Sequence, residues 1–171
     1  MESPNIILFG FMGTGKSTVG ALVARQTARV HLDTDTLIEK QVGSSIADIF
    51  SAEGELFFRD VERKVIQNVS QKKNLVITVG GGAVLYPENI NRLETNGVLI
   101  CLRASVEIIF KRIGTGSSRP LLEGVNTCKA IEKILEKRMP LYDALPHQVD
   151  TSELSPASVA EQVIQIYSCV C

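Results

Sequence analysis

A run of glycines that ends in a lysine and a serine gives the first indication of chemistry in this chain. Gly10–Ser17 reads GFMGTGKS and fits the phosphate-binding pattern G-x-x-x-x-G-K-[ST]. Glycines let backbone amides turn toward an anion at a helix N-terminus, so this loop is expected to bind the phosphates of a nucleotide. Lys16 would supply positive charge to the β- and γ-phosphates, and the Ser17 hydroxyl is placed to bind Mg²⁺.

The segments on either side of the loop favour the same interpretation. Asn5–Phe9 is a short apolar run typical of a buried strand, and residues 18–25 have apolar side chains at helical spacing. A strand, a glycine turn and a helix in this order form the context that a phosphate-binding loop needs. The sequence therefore predicts a nucleotide site here rather than a chance match.

Two carboxylates lie at the end of the second predicted strand, His31–Asp33. Asp33 and Asp35 stand at i and i+2 at the carboxyl end of that strand, which lies near the phosphate loop in this fold class. Asp33 could hold Mg²⁺ directly or through water, and Asp35 could face the hydroxyl group that accepts a phosphoryl group. The alternative is that Asp33 caps the next helix and Asp35 is a first-turn acid stabilised by the helix dipole.

Three further clusters contain arginines or glycines that could contact a ligand. Arg59 and Glu62 are three residues apart on a predicted helix and can pair, although a solvated charged face is the other interpretation. Gly80–Gly82 follow the strand Leu75–Val79 and either leave room for a ligand or form a tight connection. Arg138 is predicted to end a helix, where the dipole favours a cation in any case.

Length and composition indicate one soluble domain over residues 1–171. The chain is 44% hydrophobic and 22% charged, and its net charge is −1. This near-neutral charge argues against nucleic acid or an anionic membrane as the main partner. The four cysteines lack metal-site spacing, and no apolar run is long enough for a signal peptide or membrane helix. We therefore expect a cytoplasmic protein with reduced cysteines.

Strand-like and helix-like segments alternate along the chain, which predicts an α/β fold with a parallel sheet covered by helices on both faces. Residues 113–120 contain Arg119 among glycines and serines and could form either a closing lid or a plain surface loop. The predicted strands are Asn5–Phe9, His31–Asp33, Leu75–Val79, Val98–Leu102 and Gln148–Asp150. The predicted helices span about 18–27, 34–42, 45–52, 54–71, 88–95, 105–112, 126–138 and 156–168.

Taken together, these motifs resemble those of the shikimate kinase family, small members of the nucleoside-monophosphate-kinase-like P-loop group. The resemblance runs in order from Ile6 to about Pro156. It implies a three-layer α/β/α P-loop kinase fold of about five strands, with substrate-binding helices over about 34–62 and a mobile lid over about 113–124. The motifs that carry it are Gly10–Thr18, Asp33-x-Asp35, Ser45–Phe50, Phe58-Arg59-x-x-Glu62, Gly80–Ala83, Arg119–Leu122 and Arg138-x-Pro140-Leu141-Tyr142.

The resemblance implies ATP-dependent phosphorylation of the 3-hydroxyl of shikimate, a step of aromatic amino acid biosynthesis, by a monomer that uses Mg²⁺. The catalytic residues implied are Lys16, Asp35 and Arg119, with Ser17 and Asp33 around the metal. Those implied for ATP are Gly13, Thr14, Gly15, Lys16, Ser17, Thr18, Arg112 and Arg119. Those implied for shikimate are Asp35, Arg59, Gly80, Gly81, Gly82 and Arg138. Glu62 would orient Arg59, while Phe50 and Phe58 would either wall the ring or belong to the core.

Two other functions stay open at this point. A kinase acting on gluconate or a nucleotide would have the same phosphate loop, although the whole set of motifs favours shikimate. A non-catalytic binding module would be expected to lose Lys16, Asp35 or Arg119, and all three are present. Thr151–Pro156, the loop before the last helix, has Leu154 where relatives often carry basic residues, so no arginine contact to adenine is expected from this loop.

Overall fold

Helices and strands alternate in the computed structural model, which describes residues 3–113 and 127–171. The strands are β1 (Asn5–Gly10), β2 (Val30–Asp33), β3 (Leu75–Thr78), β4 (Gly97–Arg103) and β5 (His147–Asp150). The helices are α1 (Lys16–Gln26), α2 (Thr34–Val42), α3 (Ile46–Ala52), α4 (Gly54–Ser70), α5 (Pro87–Glu94), α6 (Val106–Ile113), α7 (Thr127–Asp143) and α8 (Pro156–Val170), with a 3₁₀ turn at Ala83–Leu85. In these two ranges, no helix combines the length and the apolar character needed to cross a membrane.

Five strands of the described chain form one parallel sheet in the order β2-β3-β1-β4-β5. β1 lies at the centre, and all six of its residues are buried. Such burial is expected for a central strand of a parallel sheet that is covered on both faces. Because the strands are parallel, their carboxyl ends meet along one edge, where open α/β sheets bind ligands.

Successive residues of β1 point to opposite faces of the sheet, and each face packs against different helices. Ile7 and Phe9 belong to an apolar core shared with α4, α5 and α7. Ile6 and Leu8 belong to a second core shared with α1 and α8. Helices therefore cover both faces, which confirms the predicted three-layer α/β/α fold.

Helix α7 is longer than the sequence predicts. The sequence predicts that this helix ends at Arg138, and a proline inside a helix removes a hydrogen bond at a cost of about 3 kcal/mol. In the structure α7 continues through Pro140 to Asp143. Leu135, Arg138 and Tyr142 are spaced by three and four residues and all are buried, so burial of this face offsets the proline. The prediction that Arg138 ends a helix, where the dipole would favour it, was wrong.

Candidate active site

The phosphate loop connects β1 to α1 at the centre of the sheet. Gly13 and Gly15 have φ angles of +78° and +93°, a region that residues with a side chain rarely adopt. Gly15 is also the N-cap of α1, so the first amides of that helix are available to an anion. The Thr14 hydroxyl donates to the carbonyl oxygen of Phe11 at 2.8 Å and closes the loop from within.

Lys16 and Ser17 begin α1 and line a groove of about 390 Å³. Lys16 Nζ donates to the carbonyl oxygen of Phe11 at 2.9 Å, which holds the ammonium group over the loop. A groove that combines backbone amides, an ammonium group and carboxylates suits a polyphosphate with its divalent cation. The groove is also lined by Met12, Gly13, Gly15, Thr18, Asp33, Asp35, Thr36 and Val79.

The two oxygens of the Asp33 carboxylate have different partners. Oδ1 accepts a hydrogen bond from the backbone amide of Asp35 at 3.0 Å and thereby caps α2. Oδ2 accepts from Ser17 Oγ at 2.7 Å and from Thr78 Oγ1 at 2.8 Å. Asp33 can therefore cap α2 and face a metal ion beside Ser17 in the same conformation.

Ser17 and Asp33 offer the type of ligands that Mg²⁺ prefers. This ion binds oxygen atoms and is usually held by one or two protein groups together with phosphates and water. Over residues 3–113 and 127–171, no three His, Cys, Asp or Glu side chains are grouped closely enough to hold a metal ion. The adjacent hydroxyl and carboxylate thus fit a magnesium ion whose remaining ligands come from a nucleotide and water.

A second cavity, of about 90 Å³, lies next to the phosphate groove. Arg59 and Arg138 both line it, although only 3% and 6% of their surface is exposed. Met12 and Asp35 line both the cavity and the groove, so they mark the place where the two compartments meet. The other lining residues are Ile46, Phe50, Phe58, Glu62, Gly80, Gly81 and Gly82.

Arg59 is held by two carboxylates of its own helix. Its Nη1 donates to Glu62 Oε2 at 2.8 Å, and its Nη2 donates to Glu55 Oε1 at 3.0 Å. Burial disfavours the charged guanidinium, but the attraction and hydrogen bonds of Glu62 and Glu55 outweigh burial and raise the pKa of Arg59. The interpretation of Arg59 and Glu62 as a solvated charged face is therefore wrong, because both residues are buried. It applies instead to Asp60 and Arg63, whose side chains are partly exposed and pair with each other.

Glu62 is a fully buried acid whose second oxygen, Oε1, makes no hydrogen bond with the described residues. Burial raises the pKa of its carboxyl group to about 7, although Arg59 acts in the opposite direction, and nearby Asp35 adds to the rise. A Cβ on Gly80 would lie 2.7 Å from Asp35 Oδ1 and 2.8 Å from Glu62 Oε1. The glycine at this position therefore allows both carboxyl groups to line the cavity.

The glycine run after β3 also contacts both arginines. Arg138 Nη1 donates to the carbonyl oxygen of Gly81 at 3.1 Å, and Tyr142 Oη donates to the same oxygen at 2.5 Å. A Cβ on Gly82 would overlap the guanidinium of Arg59. The run is at once a tight connection, leading into the 3₁₀ turn, and a wall of the cavity. The tight connection is therefore confirmed, and contact of the run with a ligand stays a prediction.

Phe50 and Phe58 supply the apolar part of the cavity wall. Their ring centroids are 4.7 Å apart with the planes tilted by 40°. Phe58 belongs to the core, Phe50 packs against that core, and both line the cavity, so their contact with a substrate ring stays a prediction. The guanidinium carbon of Arg59 lies 5.0 Å from the centroid of the Phe58 ring, which helps to fix the arginine plane.

A third groove, of about 380 Å³, is also lined by the phosphate loop. Arg112 donates to Thr151 Oγ1 at 2.8 Å and to the carbonyl oxygen of Gly13 at 3.3 Å. These contacts leave the guanidinium along the groove, while Leu154 and Pro156 contribute apolar surface. Apolar surface with a few placed polar groups suits the base of a nucleotide.

Comparison with known proteins shows the family. Residues 12–168 match the family model for shikimate kinase. A shikimate kinase from Thermodesulfovibrio yellowstonii is 47% identical over 163 residues, which is 95% of this chain and 94% of that protein. The chain belongs to the shikimate kinase family. Its predicted activity, ATP-dependent phosphorylation of shikimate, is confirmed by this membership.

Solved structures of shikimate kinases are more similar to this chain than a gluconokinase is, which bears on the alternative of a gluconate kinase. A shikimate kinase from Acinetobacter baumannii in complex with shikimate aligns with a TM-score of 0.93 at 34% identity, over 98% of this chain and 94% of that one. A gluconokinase from Sinorhizobium meliloti aligns with a TM-score of 0.61 at 16% identity, over 99% and 95% of the two chains. The gluconokinase shares the fold alone.

The shikimate kinase motifs converge on these three adjacent compartments. The described residues that were predicted for ATP line the phosphate groove or the third groove, called the base groove below. Those predicted for shikimate line the small cavity. Arg119, which was predicted to reach the γ-phosphate, lies outside the described residues. So does the predicted lid apart from its first residue, Ile113.

Four side chains of the site were missed by sequence reasoning. Thr78 and His31 lie on the neighbouring strands β3 and β2, close to Asp33. Their proximity to Asp33 depends on the register between those strands, which the sequence does not give. Thr151 is buried and lines the base groove, and although the loop that it begins was identified, its hydroxyl was given no role. Tyr142 had a usable signal, because it stands four residues after Arg138 and would share its helix face, but the helix was predicted to end too early.

Proposed function

We propose that this chain transfers the γ-phosphoryl group of ATP to the 3-hydroxyl of shikimate at the junction of the small cavity and the phosphate groove. The observation that supports this most directly is the position of Asp35, which lines both compartments. A carboxylate in this position can contact an acceptor hydroxyl while the phosphates lie beside it.

The two buried arginines account for the choice of an acceptor that has a carboxylate. Shikimate is a small anion with vicinal hydroxyl groups, and a guanidinium presents paired donors that match a carboxylate. Arg59 and Arg138 are therefore assigned to the substrate carboxylate. Because burial raises the pKa of Glu62 to about 7, this acid is only partly ionised near neutral pH and offsets less of the positive charge of Arg59.

Phosphoryl transfer depends on alignment and charge neutralisation more than on covalent chemistry. Lys16 and the amides of the phosphate loop bind the phosphate oxygens, and Asp35 orients the 3-hydroxyl and takes up its proton. Ser17 and Asp33 would hold Mg²⁺, which when bound supplies further positive charge to those oxygens. That the chain acts as a monomer stays a prediction. The contribution of Arg119 stays a prediction.

The test is a coupled assay of ADP release with MgATP and three acceptor conditions: shikimate, gluconate and none. Release that depends on shikimate, with shikimate 3-phosphate identified by ³¹P NMR, is the expected result. Release with gluconate alone would overturn the acceptor assignment and keep the phosphate site. Binding of ATP with no acceptor-dependent release would favour the non-catalytic binding module.

A further inference from the structure

His31 lies close to Asp33 and Ser17, the residues proposed to hold Mg²⁺, and has no part in the function proposed so far. Strand β2 pairs with β3 so that Asp33 is directly opposite Thr78. His31 is two residues before Asp33 on the same strand, so its side chain is on the same face of the sheet. Nε2 of His31 lies 3.0 Å from Thr78 Oγ1.

The direction of each hydrogen bond in this group follows from counting hydrogens. The Thr78 hydroxyl has one hydrogen and donates it to Asp33 Oδ2 at 2.8 Å. Thr78 must therefore accept the hydrogen bond that joins it to His31, which assigns the proton to His31 Nε2. Since Asp33 Oδ2 also accepts from Ser17 Oγ at 2.7 Å, one chain of hydrogen bonds connects His31, through Thr78 and Asp33, to Ser17.

Helix α1 holds this pair against the sheet. A Cβ on Gly20 would lie 2.6 Å from Thr78 Cγ2 and 2.8 Å from His31 Nε2, so the helix backbone lies directly on both side chains. The same helix carries Ser17 in its first turn. The pair therefore lies between the strand that presents Asp33 and the helix that presents Ser17.

We propose that His31 is a positioning residue for the magnesium side of the site, acting through Thr78. His31 fixes the rotation of the Thr78 hydroxyl, and Thr78 in turn holds Asp33 Oδ2 toward Ser17. Oδ1 accepts from the backbone amide of Asp35 in the first turn of α2, so the carboxylate plane is defined at both oxygens. This inference rests on the proposed function, in which Asp33 and Ser17 hold the metal ion of the nucleotide complex.

The experiment measures Mn²⁺ binding to the protein–ADP complex by electron paramagnetic resonance, so that it does not depend on turnover. His31→Leu and Thr78→Val should each weaken Mn²⁺ binding by roughly tenfold, as loss of a group that orients a metal ligand usually does. His31→Gln and Thr78→Ser keep a donor and a hydroxyl, respectively, and should restore most of the affinity. His147→Leu, a histidine on β5, is the matched control.

The double variant tests whether the two residues act in one chain. If they do, adding His31→Leu to Thr78→Val weakens Mn²⁺ binding little further, because the hydroxyl through which His31 acts is already missing. Unchanged Mn²⁺ affinity in a folded His31→Leu protein, or full additivity in the double variant, would overturn the proposal. Shikimate-dependent ADP release by the wild type is measured in parallel: its absence would count against the proposed function, whereas its presence with unchanged Mn²⁺ affinity counts against His31 alone.

Discussion

The hydroxyl of Tyr142 donates a hydrogen bond of 2.5 Å to the carbonyl oxygen of Gly81, which lies 61 residues earlier in the chain. Arg138, one turn before Tyr142 on α7, donates to the same oxygen at 3.1 Å. Burial raises the pKa of the tyrosine hydroxyl, so it stays protonated and able to donate at neutral pH. Tyr142 thereby fixes the peptide group against which Arg138 is oriented.

Tyr142→Phe should raise KM for shikimate by a few-fold up to about tenfold, the range expected for one hydrogen bond. The effect should fall on shikimate because Arg138 loses a fixed partner, while KM for ATP stays within about twofold. Steady-state kinetics with each substrate varied in turn will measure it. Tyr86→Phe is the matched control. An equal rise in both KM values would contradict the role of Tyr142 in positioning Arg138 at the small cavity.

Arg59→Ala should raise KM for shikimate by roughly 10- to 100-fold, because a buried guanidinium that binds a carboxylate is worth about 1.5–3 kcal/mol. Arg59→Lys should rescue little of this, since an ammonium group cannot make the paired hydrogen bonds. Arg63→Ala provides the control on the same helix, because that arginine is partly exposed and pairs with Asp60. Unchanged kinetic constants in Arg59→Ala would refute its assignment to the carboxylate.

Asp35→Asn keeps the size of the side chain and removes its charge. We expect kcat to fall by about 10²–10⁴-fold, the usual contribution of a proton-accepting group, with ADP affinity preserved. Stopped-flow or coupled assays give kcat, and calorimetry gives the affinity for ADP. Asp60→Asn, on the exposed face of α4, serves as the control. Normal turnover in Asp35→Asn would exclude the proposed role.

Glu62 should make the free energy of unfolding depend on pH. The ordinary pKa of a glutamate is 4.5 and that of Glu62 in the folded protein is about 7, so the folded state binds more protons between these values. Stability from this group is therefore complete below about pH 4.5 and is lost as pH rises to about 7, by up to about 3 kcal/mol. Urea unfolding at pH 5 and pH 8, for wild type and Glu62→Gln, will measure the change.

Glu55→Gln is the matched control for that comparison, because Glu55 binds the same arginine but is half exposed. It should alter the pH dependence much less than Glu62→Gln. The opposite slope, with the wild type gaining stability relative to Glu62→Gln as pH rises, would mean that attraction to Arg59 dominates over burial.

The parts of the site that depend on local sequence could be predicted, and those that depend on strand register or helix continuation could not. Gly10–Ser17 has its spacing, its glycines and its flanking elements all within one short segment, so the pattern was sufficient. The pairing of Arg59 with Glu62 was predictable from helix periodicity, but the burial of both was not, because it depends on α7 and the glycine run. Thr78 meets Asp33 only through the register of β2 and β3.

The phosphate groove and the small cavity differ in how much chain separates their parts. The loop, its strand and its helix lie within residues 5–26, and the groove adds Asp33, Asp35, Thr36 and Val79 from farther along. The small cavity draws on residues from Met12 to Arg138, so its wall joins segments that are far apart in the sequence. Bringing such segments together costs more chain entropy than closing a local loop. Affinity for shikimate should therefore depend on how several distant segments pack, whereas the phosphate site depends mainly on one segment.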